Sequence, residues 1–225
     1  MTSNNGNIVQ RYLRQNRQLY GDEIYLSFDA VQPEVIVGSE SLTEFEESIH
    51  DCTSCSLGER RTNFVFGVGD PNADLVCVGE APGADEDAQG LPFVGRAGKL
   101  LDKILASINL SRNNNVYICN VLKCRPPNNR DPLASEVEQC EPYLIRQLDL
   151  IKPKLVVALG RVAAKTLLKL DSNIALKDLR NKQHDYYGTK LIVTYHPAAL
   201  LRSDRFKRPT WEDFKWIRSI LNTED

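Results

Sequence analysis

Three segments place chemistry-bearing side chains among turn-forming residues. GEAPGADEDAQGLPFVGRAG runs from Gly79 to Gly98 and carries Glu80, Asp85, Glu86 and Asp87; NVLKCRPPNNRDP starts at Asn120; YHPAALLR ends at Arg202 and presents His196. A glycine-rich turn between an apolar run and a helical pattern ordinarily cradles phosphate on its backbone N–H groups. Four carboxylates would repel a phosphate, and the G-K-[ST] ending of a phosphate loop is missing. A carboxylate, an amide and an imidazole together suit a different reaction. Breaking the bond between a base and its sugar develops positive charge on the sugar and negative charge on the departing base. A carboxylate stabilises the first or orients water, and a cationic or donor histidine stabilises the second.

Glu80 directly follows the apolar run DLVCVG and is the best placed of the four acids. Asp85 and Asp87 read as surface-turn or helix-start acids. Asn120 sits near the end of the apolar run VYICNV, where asparagine is disfavoured; its amide either satisfies backbone groups or, donating and accepting at once, reads one edge of a nucleobase. Phe93, in LPFVG, is either an anchor for its loop or a stacking platform, worth roughly 1–3 kcal/mol per base. His196 is followed by Pro197, which fixes the turn after it.

The six cysteines divide into two groups. Cys77 and Cys119 lie inside apolar runs, where a thiol acts as a small hydrophobe. Cys52 and Cys55 form C-x-x-C, and Cys124 and Cys140 are separated by fifteen residues. Four unrelated thiols, a redox dithiol, a zinc site and an iron–sulfur cluster all fit four such residues. Spacing alone does not choose between zinc and a cluster, although the Cys124–Cys140 interval exceeds that of a paired-knuckle zinc ribbon. Either centre would staple the helix preceding Cys52 to the region after the second strand.

The elements that must position these residues follow from periodicity. Four short β-rich runs, Leu75–Gly79, Val116–Val121, Leu155–Leu159 and Leu191–Tyr195, alternate with helical patterns at Lys99–Ile108, Ala134–Leu150 and Val162–Leu168. SLTEFEESIHDC predicts an earlier helix capped by Ser41 or Thr43, and Trp211–Leu221 a final one. Strands alternating with helices predict an α/β chain, a three-layer α/β/α sandwich around a four-stranded parallel sheet. Ligands bind beyond the carboxyl ends of such strands, and all the segments above end or follow strands. They therefore predict one composite site. Residues 1–42 lack this pattern and read as an extension, partly helical or disordered, ahead of a domain over 43–225.

Net charge is −2, but residues 1–51 sum to −6 and the remainder to +4. Lys123, Arg125 and Arg130 form one basic cluster, and Arg202, Arg205, Lys207 and Arg208 another. Both stand beside the candidate loops and point to a polyanionic partner. No apolar run approaches the roughly 18 residues of a membrane span, and the first residues hold no apolar leader core. The expectation is a cytoplasmic protein with no membrane partner, whose cysteines are thiols or ligands rather than disulfides.

The three segments taken jointly with the cysteine set resemble the family 4 uracil-DNA glycosylases, and the similarity covers about residues 43–225. The resemblance implies a monomeric DNA-repair enzyme that flips uracil out of DNA and hydrolyses its N-glycosidic bond, leaving an abasic site. It implies a 4Fe–4S cluster on Cys52, Cys55, Cys124 and Cys140. Glu80 would be the catalytic carboxylate, with Glu86 in support, and His196 would stabilise the uracil anion. Ala81 would line the pocket, Phe93 would stack on uracil, and Asn120 would bind its Watson–Crick edge. Leu200 or Leu201 would fill the gap left in the duplex, and Arg202 would meet phosphate. RPPNNRDP lacks the histidine of the superfamily branch that links covalently to DNA, and the broad-specificity family 5 enzymes lack a carboxylate where Glu80 stands. Two other readings remain: an iron–sulfur protein that binds DNA without excising a base, and a nucleotide-binding enzyme.

Overall fold

The computed structural model describes residues 40–170 and 174–223. The extension predicted for residues 1–42 therefore falls almost wholly outside the described residues. Helix α1 (Leu42–Ile49) opens the described chain, with Ser41 as its N-cap. Ser41 Oγ accepts from the Glu44 amide at 3.2 Å, and Glu44 accepts from the Ser41 amide at 2.7 Å, which satisfies two otherwise orphaned donors.

The four apolar runs become β2 (Leu75–Gly79), β3 (Val116–Asn120), β4 (Leu155–Leu159) and β6 (Thr189–Thr194). β2 pairs in parallel with β3 and β4, and β4 with β6. Among the described residues the sheet has six strands rather than the expected four, which form its parallel centre. β1 (Val68–Gly69) and β5 (Gln183–Tyr186) add antiparallel edges, in the order β1-β3-β2-β4-β6-β5. Neither edge carries an apolar run: β1 has two residues, and QHDY is polar and mostly accessible.

The remaining helices are α2 (Ala84–Gln89), α3 (Arg96–Ala106), α4 (Ala134–Ile151), α5 (Arg161–Leu168), α6 (Leu176–Leu179), α7 (Pro197–Arg202) and α8 (Lys207–Leu221). Alternation along β2 divides the core into two layers. Val76 and Val78 pack with Leu144 and Leu148 of α4 and Ala164 and Leu167 of α5. Leu75 and Cys77 pack with Leu101 and Leu105 of α3 and Phe214 and Ile217 of α8. Every residue of β2, β3 and β4 is buried, as a sheet covered on both faces requires.

A buried ion pair ties α8 to the end of β6. Asp213 accepts from Arg180 Nε at 2.9 Å and Nη2 at 2.8 Å, and from Thr194 Oγ1 at 2.6 Å. The Arg180 guanidinium lies 4.5 Å from the Tyr195 ring centroid, directly before His196. Asp213→Ala would leave that guanidinium buried and unpaired, so a loss of about 3–5 kcal/mol is expected, measured by denaturant titration.

Candidate active site

Loops at the carboxyl ends of all four parallel strands enclose one cavity of about 550 Å³. Glu80 and Ala81 follow β2, and Asn120 is the last residue of β3. Gly160 and Arg161 follow β4, while His196 and Arg202 follow β6. Glu86 and Phe93 enter from the loop between β2 and α3. Seven of the side chains singled out in the sequence thus face one space.

Local sequence explains the close approach. A Cβ on Gly79 would stand 2.3 Å from Asn120 Oδ1 and 2.7 Å from Phe93 Cζ, so only glycine lets the amide and the ring lie over the end of β2. Asn120 is 2 % exposed. The Phe93 ring stacks on His196, with centroids 5.6 Å apart and planes 30° apart. Gly160 has φ +95°, and a Cβ there would meet His196 Cβ at 2.8 Å.

Glu86 does not present a free carboxylate to the cavity. Its Oε2 accepts from the Gly83 amide at 3.1 Å, and its Oε1 from Val94 and Gly95 at 3.0 and 3.2 Å. It pins the two ends of the acidic loop together, an arrangement that suits an acid in a supporting, positioning role. Asp87 is a helix-start acid, in the first turn of α2, and not a surface one. It is 6 % exposed and accepts from the Thr62 amide and hydroxyl, both at 2.9 Å.

Electrostatics separate the two groups left to do chemistry. Burial pushes Glu80 up to about 7; the negative charge of Asp131 adds to this and the Arg161 guanidinium opposes it. Burial holds His196 down to about 4, assisted by Arg202 and opposed by Glu86. His196 is therefore neutral at pH 7. Its Nδ1 accepts from the Ala198 amide at 3.1 Å, which leaves the proton on Nε2. The imidazole is a neutral donor, not the cation.

The four cysteines outside the strands converge on one place beside α1 and α4. The Cys124 thiol senses the charges of Cys55 and Cys52, and the Cys140 thiol those of Cys124 and Cys55. Hydrogen-bond donors face the sulfurs: Tyr143 Oη lies 3.2 Å from Cys52, the Lys123 amide 3.3 Å from Cys140, and Arg61 Nη1 3.5 Å from Cys124. Among the described residues no three His, Cys, Asp or Glu side chains are grouped so as to hold one metal ion. Four thiols with surrounding hydrogen-bond donors have the chemistry of a thiolate ligand set.

Residues 66–215 match the family model for the uracil DNA glycosylase superfamily. The chain is 48 % identical over 187 residues to a type-4 uracil-DNA glycosylase of Archaeoglobus fulgidus, covering 80 % of this chain and 94 % of that one. The chain belongs to the type-4 uracil-DNA glycosylases. A type-4 enzyme of Sulfurisphaera tokodaii is 44 % identical over 82 % of this chain and 86 % of its own. One of Pyrobaculum aerophilum is 46 % identical over 72 % and 85 %.

Two further sequence expectations for this type-4 glycosylase are corrected. Leu200 is 3 % exposed and packs inward from α7, whereas Leu201 is 50 % exposed, so the apolar residue available to a partner is Leu201. Lys123 is wholly buried. Its Nζ donates to the Asn120 carbonyl at 2.8 Å and to Gln147 Oε1 at 2.6 Å, so it supports the end of β3 rather than a charged surface. The sequence reading counts GRVAAK, with Arg161, among the strand-end loops but gives Arg161 no role of its own. The signal was its place directly after Gly160, the N-cap between β4 and α5, where the first helical residue lines the cavity.

Proposed function

We propose that this protein excises uracil from DNA by hydrolysing the N-glycosidic bond, leaving an abasic site. The observation that carries the reading is the single cavity holding an ionisable carboxylate, a buried amide, an aromatic ring and a neutral imidazole. Phe93 stacks on the flipped base, and the Asn120 amide donates and accepts along its polar edge. As the bond between sugar carbon and base nitrogen breaks, its electron pair leaves with the base. His196 donates a hydrogen bond from Nε2 to the charge growing on the base. Ionised Glu80 stabilises the cationic sugar, orients water beside it and accepts the proton that water releases. Leu201 fills the gap in the duplex, and exposed Arg202 meets phosphate.

The reading is tested by alkaline cleavage of a labelled oligonucleotide carrying one deoxyuridine. Wild type is expected to release uracil, and Asn120→Ala and His196→Ala to be strongly impaired. A protein that bound this DNA and released no uracil would support the competing reading of a DNA-binding iron–sulfur protein.

Cys52, Cys55, Cys124 and Cys140 hold a 4Fe–4S cluster in this reading. When bound, the cluster supplies a covalent tie between the chain around Cys52 and the segment following Asn120. Its support is the set of four converging thiols with their hydrogen-bond donors.

Asp131→Asn tests the electrostatics of Glu80. Removing that negative charge lowers the carboxyl pKa, so the acid limb of the kcat/KM profile is expected to shift to lower pH. An unmoved limb would show that Asp131 does not act on Glu80.

A further inference from the structure

Phe93 has φ +54°, a left-handed conformation that a bulky side chain adopts only when its surroundings enforce it. Two sets of contacts do so. On the far side, the Glu86 carboxylate holds the amides of Val94 and Gly95. On the near side, Arg112 Nη1 donates to the Pro92 carbonyl at 2.7 Å and Nη2 donates to the Phe93 carbonyl. Arg112 is itself held by Asp102 of α3, through Nε to Oδ1 at 2.7 Å, and its side chain is 18 % exposed. The Phe93 carbonyl is seated against α3, since a Cβ on Gly98 would stand 1.7 Å from that oxygen. Arg112 lies outside the three motif segments, at the turn following α3.

We infer that Arg112, braced by Asp102, is a positioning residue that sets the floor of the base pocket by fixing the backbone of Phe93. This rests on the base-excision reading. The planar guanidinium suits the task because it serves two adjacent carbonyls and a carboxylate at once from one rigid fork, which a lysine ammonium cannot do. Held in this backbone, the ring lies over Gly79 and against His196. A loosened carbonyl would release both contacts.

The test compares wild type with Arg112→Ala, Arg112→Lys, Asp102→Asn, Phe93→Ala and the Arg112→Ala, Phe93→Ala pair. Excision kinetics and inhibition by free uracil are measured beside thermal midpoints. Arg112→Ala is expected to lower kcat/KM roughly 5-fold to 100-fold, the range set by losing one base–aromatic stack. The loss should lie mainly in KM, with weaker inhibition by uracil. Arg112→Lys should not restore it, Asp102→Asn should show a smaller loss in the same direction, and the pair should be no worse than Phe93→Ala alone. A pair that multiplies the two single losses, or an Arg112→Ala protein with a lower thermal midpoint but wild-type kcat/KM and uracil inhibition, overturns the inference. Amide exchange over residues 91–95 gives an arm independent of catalysis. Faster exchange in Arg112→Ala is expected, and unchanged exchange overturns the clamp even if wild type releases no uracil and the base-excision reading falls.

Discussion

Glu80→Gln is expected to lower kcat by about 10²–10⁴-fold, the range of a lost acid–base group, while deoxyuridine DNA still binds. The substitution keeps the shape of the side chain and removes its charge, so the loss reports on charge alone. Wild-type kcat/KM should rise with pH through about 7, where Glu80 ionises, and that limb should vanish in the variant. His196 does not set it, because its proton is lost near 4. Stability should move the opposite way. The folded protein retains the Glu80 proton between an ordinary 4.5 and about 7, where the unfolded chain has released it. Stability from this group is complete below that window and is lost as pH rises through it. Glu80→Gln should therefore flatten the fall in thermal midpoint across that window. A variant with wild-type kcat, or a limb that persists without Glu80, would remove the carboxylate from the mechanism.

Cys140→Ser carries the second large effect. Cys140 is 8 % exposed, and burial pushes its thiol up to about 11 when no metal is bound. The proposed cluster bonds the thiolate, and serine offers a poor replacement. A tightly held group stabilises the fold by at least about 4 kcal/mol at 1,000-fold saturation. At about 2–4 °C per kcal/mol, the thermal midpoint should fall by about 10 °C or more. Visible absorbance and iron content measured on the same sample should fall with it. Cys77→Ser, on a buried strand thiol, should keep the iron. A Cys140→Ser protein with full iron and an unchanged midpoint would remove Cys140 from the ligand set.

Much of the parallel sheet was readable because its strands are continuous apolar runs. Leu75–Gly79 and Leu155–Leu159 appear in the structure with the bounds their sequence predicts. Helix starts were less legible. α3 begins at Arg96 rather than Lys99, and α8 at Lys207 rather than Trp211, because polar first turns lack the apolar period. β5 was invisible because an edge strand needs no apolar alternation. The composite cavity followed from one rule, that ligands meet the carboxyl ends of parallel strands. What the sequence does not encode locally is which polar groups are consumed by the fold. Asp87 and Lys123 carry charges that read as surface, yet each finds its partners from distant segments, at Thr62 and Gln147. Glu86 and Glu80 look alike in the motif, and only the backbone amides around Glu86 distinguish a brace from a free acid.

Lys123 also joins two parts of the molecule that chemistry keeps separate. Its ammonium holds the carbonyl of Asn120, and its amide faces the sulfur of Cys140. From Asn120 to Cys124 is a span of five residues. If the proposed cluster is lost, loosening at the sulfur end is expected to reach Asn120 through Lys123. Discrimination between uracil and its near analogues is therefore expected to fall with iron content, and unchanged discrimination in iron-depleted protein would break this link.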